Sequence, residues 1–517
     1  MICFPVEIIL KIINYLDDTT KLELIKKCKF FYTNKKYLQL NNAYQFSKIK
    51  HVLSEFNFKC IIYNNTHYDT IIEGENENEN EEYIIHYNPI SENDTSVNSI
   101  EGVRIFPNVE IKDNCLPKHL KKLSFYSTFV DVPPITIKNN VLPHNLQMIF
   151  NMYDFEDNAL PRNLTYISFG NSFDKELKVG MLPQHLIHLE FGDMYNQRFD
   201  VSILPQSLKC LKLGKNYRQH FEVGVLPQSL EYLEFRGFYD QRFDIGVLPQ
   251  NLRCLSIDDL YNQKFLELPK TLTRLGLRYG YNYSFELGIL PEILICLKIG
   301  TNFHHKFEKN VLPQSLKYLD LEYYEYDLEQ DTLPKNLIYL RFGHRYNKKL
   351  KSNILPQSLK YLDLEHYEYK LEQDTLPKNL IYLRFGYRYN EKFEVNVLPN
   401  TIECLILESY YYNQEFGLNV LPENLKIFKL PYNYNIPFNS YKKLNSIRNV
   451  CSYLIRKYTE TINTIDHCDQ LSKIIITEIK QAQLFNLKYH SLMTLHSWET
   501  YSDYNYKHHD CFREIFY

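Results

Sequence analysis

The dipeptide Leu-Pro returns along this chain with a regularity that dictates its architecture. Its prolines stand at Pro117, Pro143, Pro161, Pro183, Pro205, Pro227, Pro249, Pro269, Pro291, Pro313, Pro334, Pro356, Pro377, Pro399 and Pro422, and eight of the fourteen spacings are 22 residues. With the leucine before each proline as position zero, position four holds Leu186, Leu208, Leu230, Leu252, Leu272, Leu294, Leu316, Leu337, Leu359, Leu380, Ile402 and Leu425. Position seven is leucine in each of these units until Phe428, and position nine is Phe, Leu or Ile from Phe191 to Leu430. Inside LPxxLxxLx(F/L) lies the LxxLxL spacing of a leucine-rich repeat, a short strand with apolar side chains inward and polar ones outward. About fifteen units therefore each give one strand to a parallel sheet.

A second inward set follows each strand. It comprises an aromatic near position thirteen (Tyr195, Tyr217, Tyr239, Tyr261, Tyr281) and a phenylalanine near position seventeen (Phe199, Phe221, Phe243, Phe265, Phe285, Phe307). The period-two segments at 199–203 and 221–225 predict a second short extended stretch on the return side. Proline, which lacks an N–H and fixes φ, belongs at a corner just outside the strand ladder. Ordering one unit costs more conformational entropy than its few buried side chains return, so the units must stack on one another. That also fits a chain of 517 residues, too long for one core. Residues 312–354 and 355–397 differ at only eight of 43 positions, the mark of a duplicated two-unit block.

The array resembles the FNIP-repeat family, a leucine-rich-repeat variant of amoebae and the giant viruses that infect them. The resemblance covers about 116–440 and rests on many registered copies of the LPxxLxxLxF half. The Phe-Asn-x-Pro element that names the family is mostly Phe-Asp or Phe-Glu here. What the resemblance implies is a leucine-rich-repeat-like β-solenoid presenting a long surface to a target protein.

Ahead of the array, residues 4–31 read FPVEIILKIINYLDDTTKLELIKKCKFF. Pro5 suits a first helical position, Ile8, Ile9, Ile12, Ile13 and Leu16 share one helical face, and Asp17 or Asp18 can cap a second helix carrying Leu22, Ile25 and Cys28. So small a module cannot bury all its isoleucines internally. The order Pro5, Ile8, Ile9, Ile12, Ile13, Leu16, Leu22 resembles the F-box, with Phe4, Lys21 and Lys27 departing from its pattern. The resemblance implies that these seven residues dock a Skp-family adaptor of a cullin-based ubiquitin ligase. The alternative is a helical cap over the open end of the array, since end repeats need covering.

These features divide the chain into a helical F-box-like module (1–45), an irregular linker holding the acidic run EGENENENEE at 73–82 and a degenerate repeat near 103–106 (46–115), the repeat solenoid (116–440) and a helical C-terminal cap (441–517). The cap is expected from Leu444, Ile447, Val450, Cys451, Leu454 and Ile455 on one helical face. The fold class expected is α+β, helical at both ends.

Net charge of -3 offers no field for nucleic acid or an anionic membrane, so neither is an expected partner. No run approaches 18 apolar residues and the N-terminus lacks signal-peptide features, which leads to a cytoplasmic expectation, in the host cytoplasm if the chain is viral. Eleven cysteines without a CxxC pair suit a reducing compartment. There is no Gly-rich phosphate loop, HExxH or zinc spacing, and the cluster His508, His509, Asp510, Cys511 lies in the tail. The expectation is a non-enzymatic chain with no cofactor and no metal.

Strand positions six and eight should face away from the core in columns. Position six carries Tyr232, Tyr318, Tyr339, Tyr361 and Tyr382, the candidate target-binding residues, interspersed with His188, Cys210, Cys254, Cys296 and Cys404. Position eight alternates in charge through Asp320, Arg341, Asp363 and Arg384, as a cross-strand ladder favours.

Overall fold

The computed structural model describes residues 136–431 continuously, with 21–22, 39–45, 57–62, 102–105, 116, 118, 120–125 and 434. The chain divides into two compact units, residues 1–253 and 254–517.

In the first unit, β1 (Gln39–Gln45) pairs in parallel with β2 (Asn57–Ile62). The main sheet runs through β3 (Gly102–Ile105), β4 (Lys122–Phe125), β6 (Met148–Met152), β8 (Tyr166–Phe169), β9 (His188–Glu190), β10 (Cys210–Leu213) and β11 (Tyr232–Phe235), all parallel and in sequence order. Two short strands on the return side, β5 (Thr136–Ile137) and β7 (Asp154–Phe155), also pair in parallel.

The second unit repeats one motif throughout: β12 (Cys254–Ile257), β13 (Arg274–Leu277), β14 (Cys296–Ile299), β15 (Tyr318–Leu321), β16 (Tyr339–Phe342), β17 (Tyr361–Leu364), β18 (Tyr382–Phe385), β19 (Cys404–Leu407) and β20 (Ile427–Lys429). Each pairs in parallel with the next in strict register, so Tyr318, Tyr339, Tyr361 and Tyr382 lie opposite one another. This is the leucine-rich-repeat-like parallel β-solenoid that the leucine spacing demands.

Three contacts recur along the turns. The proline carbonyl accepts from the leucine N–H three residues on, as in Leu208 to Pro205 and Leu359 to Pro356, both 3.1 Å, which closes the corner before the strand. The residue between them ties down the previous turn: Ser358 Oγ donates to the carbonyls of Lys335 and Leu337 at 2.7 Å, and Asn379 Nδ2 to that of Gln357 at 3.1 Å. Inside, leucines of positions zero, four and seven are buried beside a ladder of aromatic rings. Tyr195 and Tyr217 stack at 6.1 Å and 7°, and Tyr389 and Tyr412 at 6.2 Å and 8°. Within a turn the position-nine ring stacks on its tyrosine at 3.9 Å, as in Phe235–Tyr239 and Phe385–Tyr389.

The extended return-side segments expected at 199–203 and 221–225 are tight turns instead. Ser202 (φ 72°) and Gly224 (φ 87°) take left-handed conformations, and Ile203 and Val225 donate back to Asp200 and Glu222. The same place is held by Asn310, Asp331, Asn353, Asp374, Asn396 and Asn419, all with φ near 60°. Two residues before each of these Leu-Pro corners stands Gly, Asn, Asp or Ser, the residues that tolerate this geometry best. That recurrent signal is readable in the sequence, and it rules out a strand there.

The α+β expectation is not met among the described residues, which are helical only at Lys21 and Leu22. The remainder of residues 4–31 and the cap at 441–517 lie outside the described residues, as does the acidic run at 73–82. The stretch expected to close the helical module is strand β1 (QLNNAYQ), whose paired asparagines are poor helix formers and which lacks the apolar spacing of residues 8–16. Within the segment read as linker lie β2 and β3, the latter paired with β4 in the position of a first repeat.

Two glycines separate backbone strain from packing. A Cβ on Gly386 would sit 2.2 Å from the Glu365 carbonyl oxygen, whereas one on Gly180 (φ 86°) would meet nothing. Gly386→Ala should cost about 1–3 kcal/mol through forced separation of two turns, and Gly180→Ala about 1 kcal/mol through the dihedral alone. Urea midpoints followed by circular dichroism should rank the two variants in that order.

Candidate protein-binding faces

The strand face carries the residues singled out from the sequence, and in both units it is more closed than a simple alternation implies. Tyr232, Tyr318 and Tyr361 are partly exposed, but Tyr339 and Tyr382 are only 5% exposed each. Tyr318 and Tyr339 lie 6.4 Å apart and tilted at 42°, and Tyr361 and Tyr382 6.2 Å apart at 41°, so one ring of each pair covers the other. The tyrosine column is thus a run of rings that tilt against and cover one another.

Position eight is also sequestered, although it points away from the leucine core. Asp363 is 1% exposed, with Arg384 Nη1 at 2.8 Å on one side and Arg341 Nε at 3.8 Å on the other. Arg341 also reaches Asp320 (3.3 Å) and Glu365 (2.9 Å), and Arg384 reaches Glu408 (2.7 Å). Strands about 4.8 Å apart leave no room for water beside a long side chain flanked on both sides, and so the ladder buries itself. Burial pushes the Asp363 carboxyl up to about 6 against the pull of both arginines, which leaves it ionised at neutral pH.

In the first unit the same face holds a mixed cluster. His188 stacks on Tyr166 at 4.7 Å, and its Nε2 lies 3.3 Å from Cys210 Sγ. Tyr166 donates to Glu190, which pairs with Arg236 at 2.6 Å, while Tyr232 donates to Glu234 at 2.8 Å. Burial works against the Glu190 carboxylate, but Arg236, Lys212 and His188 outweigh it and hold its pKa below the usual range. A histidine partner for a cysteine is not found by local sequence spacing, yet both occupy position six of successive turns, so the repeat alignment contains the signal. Burial raises the Cys210 thiol pKa and, with Lys212, lowers His188 to about 4. At neutral pH the pair is thiol and neutral imidazole, not the thiolate and imidazolium of an activated nucleophile.

A different surface lies along the strand entrances of the second unit. Glu292, Ile293, Ile295, Gln314, Ser315, Lys317, Asn336, Ile338, Ser358, Lys360, Asn379, Ile381, Thr401, Glu403 and Asn424 line an open groove of about 960 Å³. These are positions two, three and five, which the sequence reading did not select. Among the described residues no group of His, Cys, Asp and Glu is placed to hold a metal ion, and no helix is long and apolar enough to cross a membrane. Of the seven expected adaptor-facing residues only Leu22 is described, helical and partly exposed; Pro5, Ile8, Ile9, Ile12, Ile13 and Leu16 lie outside the described residues.

Two outcomes follow for this face. His188 is neutral in the fold and titrates near 6.5 when unfolded, so its contribution is complete above about pH 6.5 and is lost as pH falls toward 4, about 3 kcal/mol in all. Urea unfolding at pH 7 and 4.5 should show this loss, and His188→Phe should remove that part of the pH dependence. Arg384→Leu strips Asp363 of its closest partner and should cost about 3–5 kcal/mol, far more than Lys349→Leu at an exposed pair, by the same measurement.

Five segments, residues 150–194, 195–238, 281–324, 325–366 and 367–410, match the FNIP Repeat family. No curated protein sequence matches the chain. Among solved structures the chain is similar to CroV588, described as a novel circular leucine-rich-repeat protein, at 31% identity and a TM-score of 0.60, over 74% of this chain. The match spans 60% of that protein's length. YopM from Yersinia enterocolitica matches at 21% identity over 73% of this chain and 80% of its own, with a TM-score of 0.41. The chain thus carries FNIP repeats in a leucine-rich-repeat-like solenoid.

Proposed function

We propose that this chain is a non-enzymatic substrate-recognition adaptor of a Skp–cullin–F-box ubiquitin ligase. Its repeats hold a target protein, its N-terminal segment docks a Skp-family adaptor, and the recruited ligase performs the chemistry. The observation that carries the reading is the pairing of a FNIP-type repeat scaffold with an upstream apolar segment in F-box order, Pro5, Ile8, Ile9, Ile12, Ile13, Leu16 and Leu22. Repeat solenoids suit target capture because each turn adds surface without changing the fold of its neighbours. Such an adaptor works in the cytoplasm, that of the host if the chain is viral, and needs neither cofactor nor metal.

A scaffold or decoy that binds protein without a ligase is the second reading, favoured by the need to cover the open end of a solenoid. Co-purification of the intact chain with a Skp-family adaptor separates the two. The wild type should retain the adaptor and the double variant Ile12→Asp, Leu16→Asp should lose it while its circular dichroism is unchanged. If the wild type retains none, the N-terminal segment is a cap and the scaffold reading stands.

A further inference from the structure

The groove of the second unit has a chemical pattern that neither the sequence motif nor the fold requires. Its position-five residues alternate as Ile295, Lys317, Ile338, Lys360 and Ile381, one per turn. The isoleucines are half-buried. Elsewhere this column pairs its charges: Lys209 and Arg253 meet Glu231, and Lys426 meets Glu403. Lys317 and Lys360 have no carboxylate within reach among the described residues, because the turns above and below each of them offer isoleucine. Two ammonium groups thus stand two turns apart over the apolar middle of the groove with no carboxylate against them; the groove's own carboxylates, Glu292 and Glu403, stand toward its ends, and Glu403 is paired with Lys426.

We propose that this groove binds an extended, acidic segment of a partner protein, with a carboxylate at every third residue and aliphatic residues between. The geometry sets the spacing. Two turns at about 4.8 Å put Lys317 and Lys360 about 10 Å apart, and residues i and i+3 of a polyproline-II strand lie about 9 Å apart on one face. The length sets the extent. From Ile295 to Asn424 the groove crosses six strand spacings, about 30 Å, which about ten residues of an extended chain at ~3.1 Å each would span. Ser315, Asn336, Ser358 and Asn379 edge the floor and each donates to a carbonyl of the preceding turn, which keeps the walls fixed before a ligand arrives. This inference rests on the reading of the repeats as the target-binding part, and adds what the target segment looks like.

The test is fluorescence anisotropy of the intact chain with a labelled peptide of repeated Glu-Pro-Val, about twelve residues at ~3.1 Å each, beside the same peptide with lysine for glutamate. Saturable binding of the acidic peptide alone is expected, weakening with salt. The double variant Lys317→Glu, Lys360→Glu should bind roughly tenfold or more weakly, whereas Lys209→Glu, in the first unit, should bind like the wild type. Absence of saturable binding, equal binding of the lysine peptide, or equal binding by the double variant would each overturn the proposal. Retention of a Skp-family adaptor is read separately and depends on residues 5–22, so the groove can fail while the adaptor reading survives, and the reverse.

Discussion

The in-register parallel ladder is the constraint on which the rest of each unit depends. When one turn stacks on the next without a shift, every side chain meets its own counterpart one repeat away, 18 to 26 residues along the chain. Rings stack on rings, as Tyr195 does on Tyr217, and leucines on leucines, which is favourable without further tuning. Charge is the exception, since a position that repeats faithfully would stack like on like. The second unit solves this by alternation at position eight, where Asp363 lies between two guanidinium groups. Glycine solves the comparable steric problem at Gly343 and Gly386, where the neighbouring backbone approaches too closely for a Cβ.

Much of this architecture is legible in the sequence, for a physical reason. The inward positions of a repeat are set by burial against identical neighbours, so Leu186, Leu208 and their successors announce themselves by type and spacing. Outward positions are set by what flanks them, and alternation along a strand says only which way a side chain leaves the backbone. It cannot tell that Tyr339 and Tyr382 are each covered by a tilted neighbour, or that Asp363 is enclosed by arginines from both sides. The return-side turns failed as strands because their apolar members, Val201 and Val223, mimic a period of two while facing solvent. Their flanking Ser202 and Gly224 were the more informative residues.

Where the strand face is closed by its own charges and rings, recognition has other surfaces to use. The strand entrances of the second unit are bounded by side chains whose hydrogen bonds run to the previous turn, so they form a rigid edge rather than a deformable one. On such an edge specificity lies in which residue occupies position five of each turn. That position lies at the rim of the core, where isoleucine and lysine are accepted in alternate turns.

The charge ladder also limits how such a chain can change in length. Remove the single turn that carries Asp363, and Arg341 would lie directly beside Arg384, two enclosed cations with no anion between them. Add one turn of either kind, and like would again face like. A step of two turns keeps the alternation intact at every junction, and the near-identical blocks 312–354 and 355–397 are such a step. Over this stretch the array has a parity: it can grow or shrink by even numbers of turns while odd changes are penalised, and the Ile–Lys alternation of the groove is carried along in the same phase.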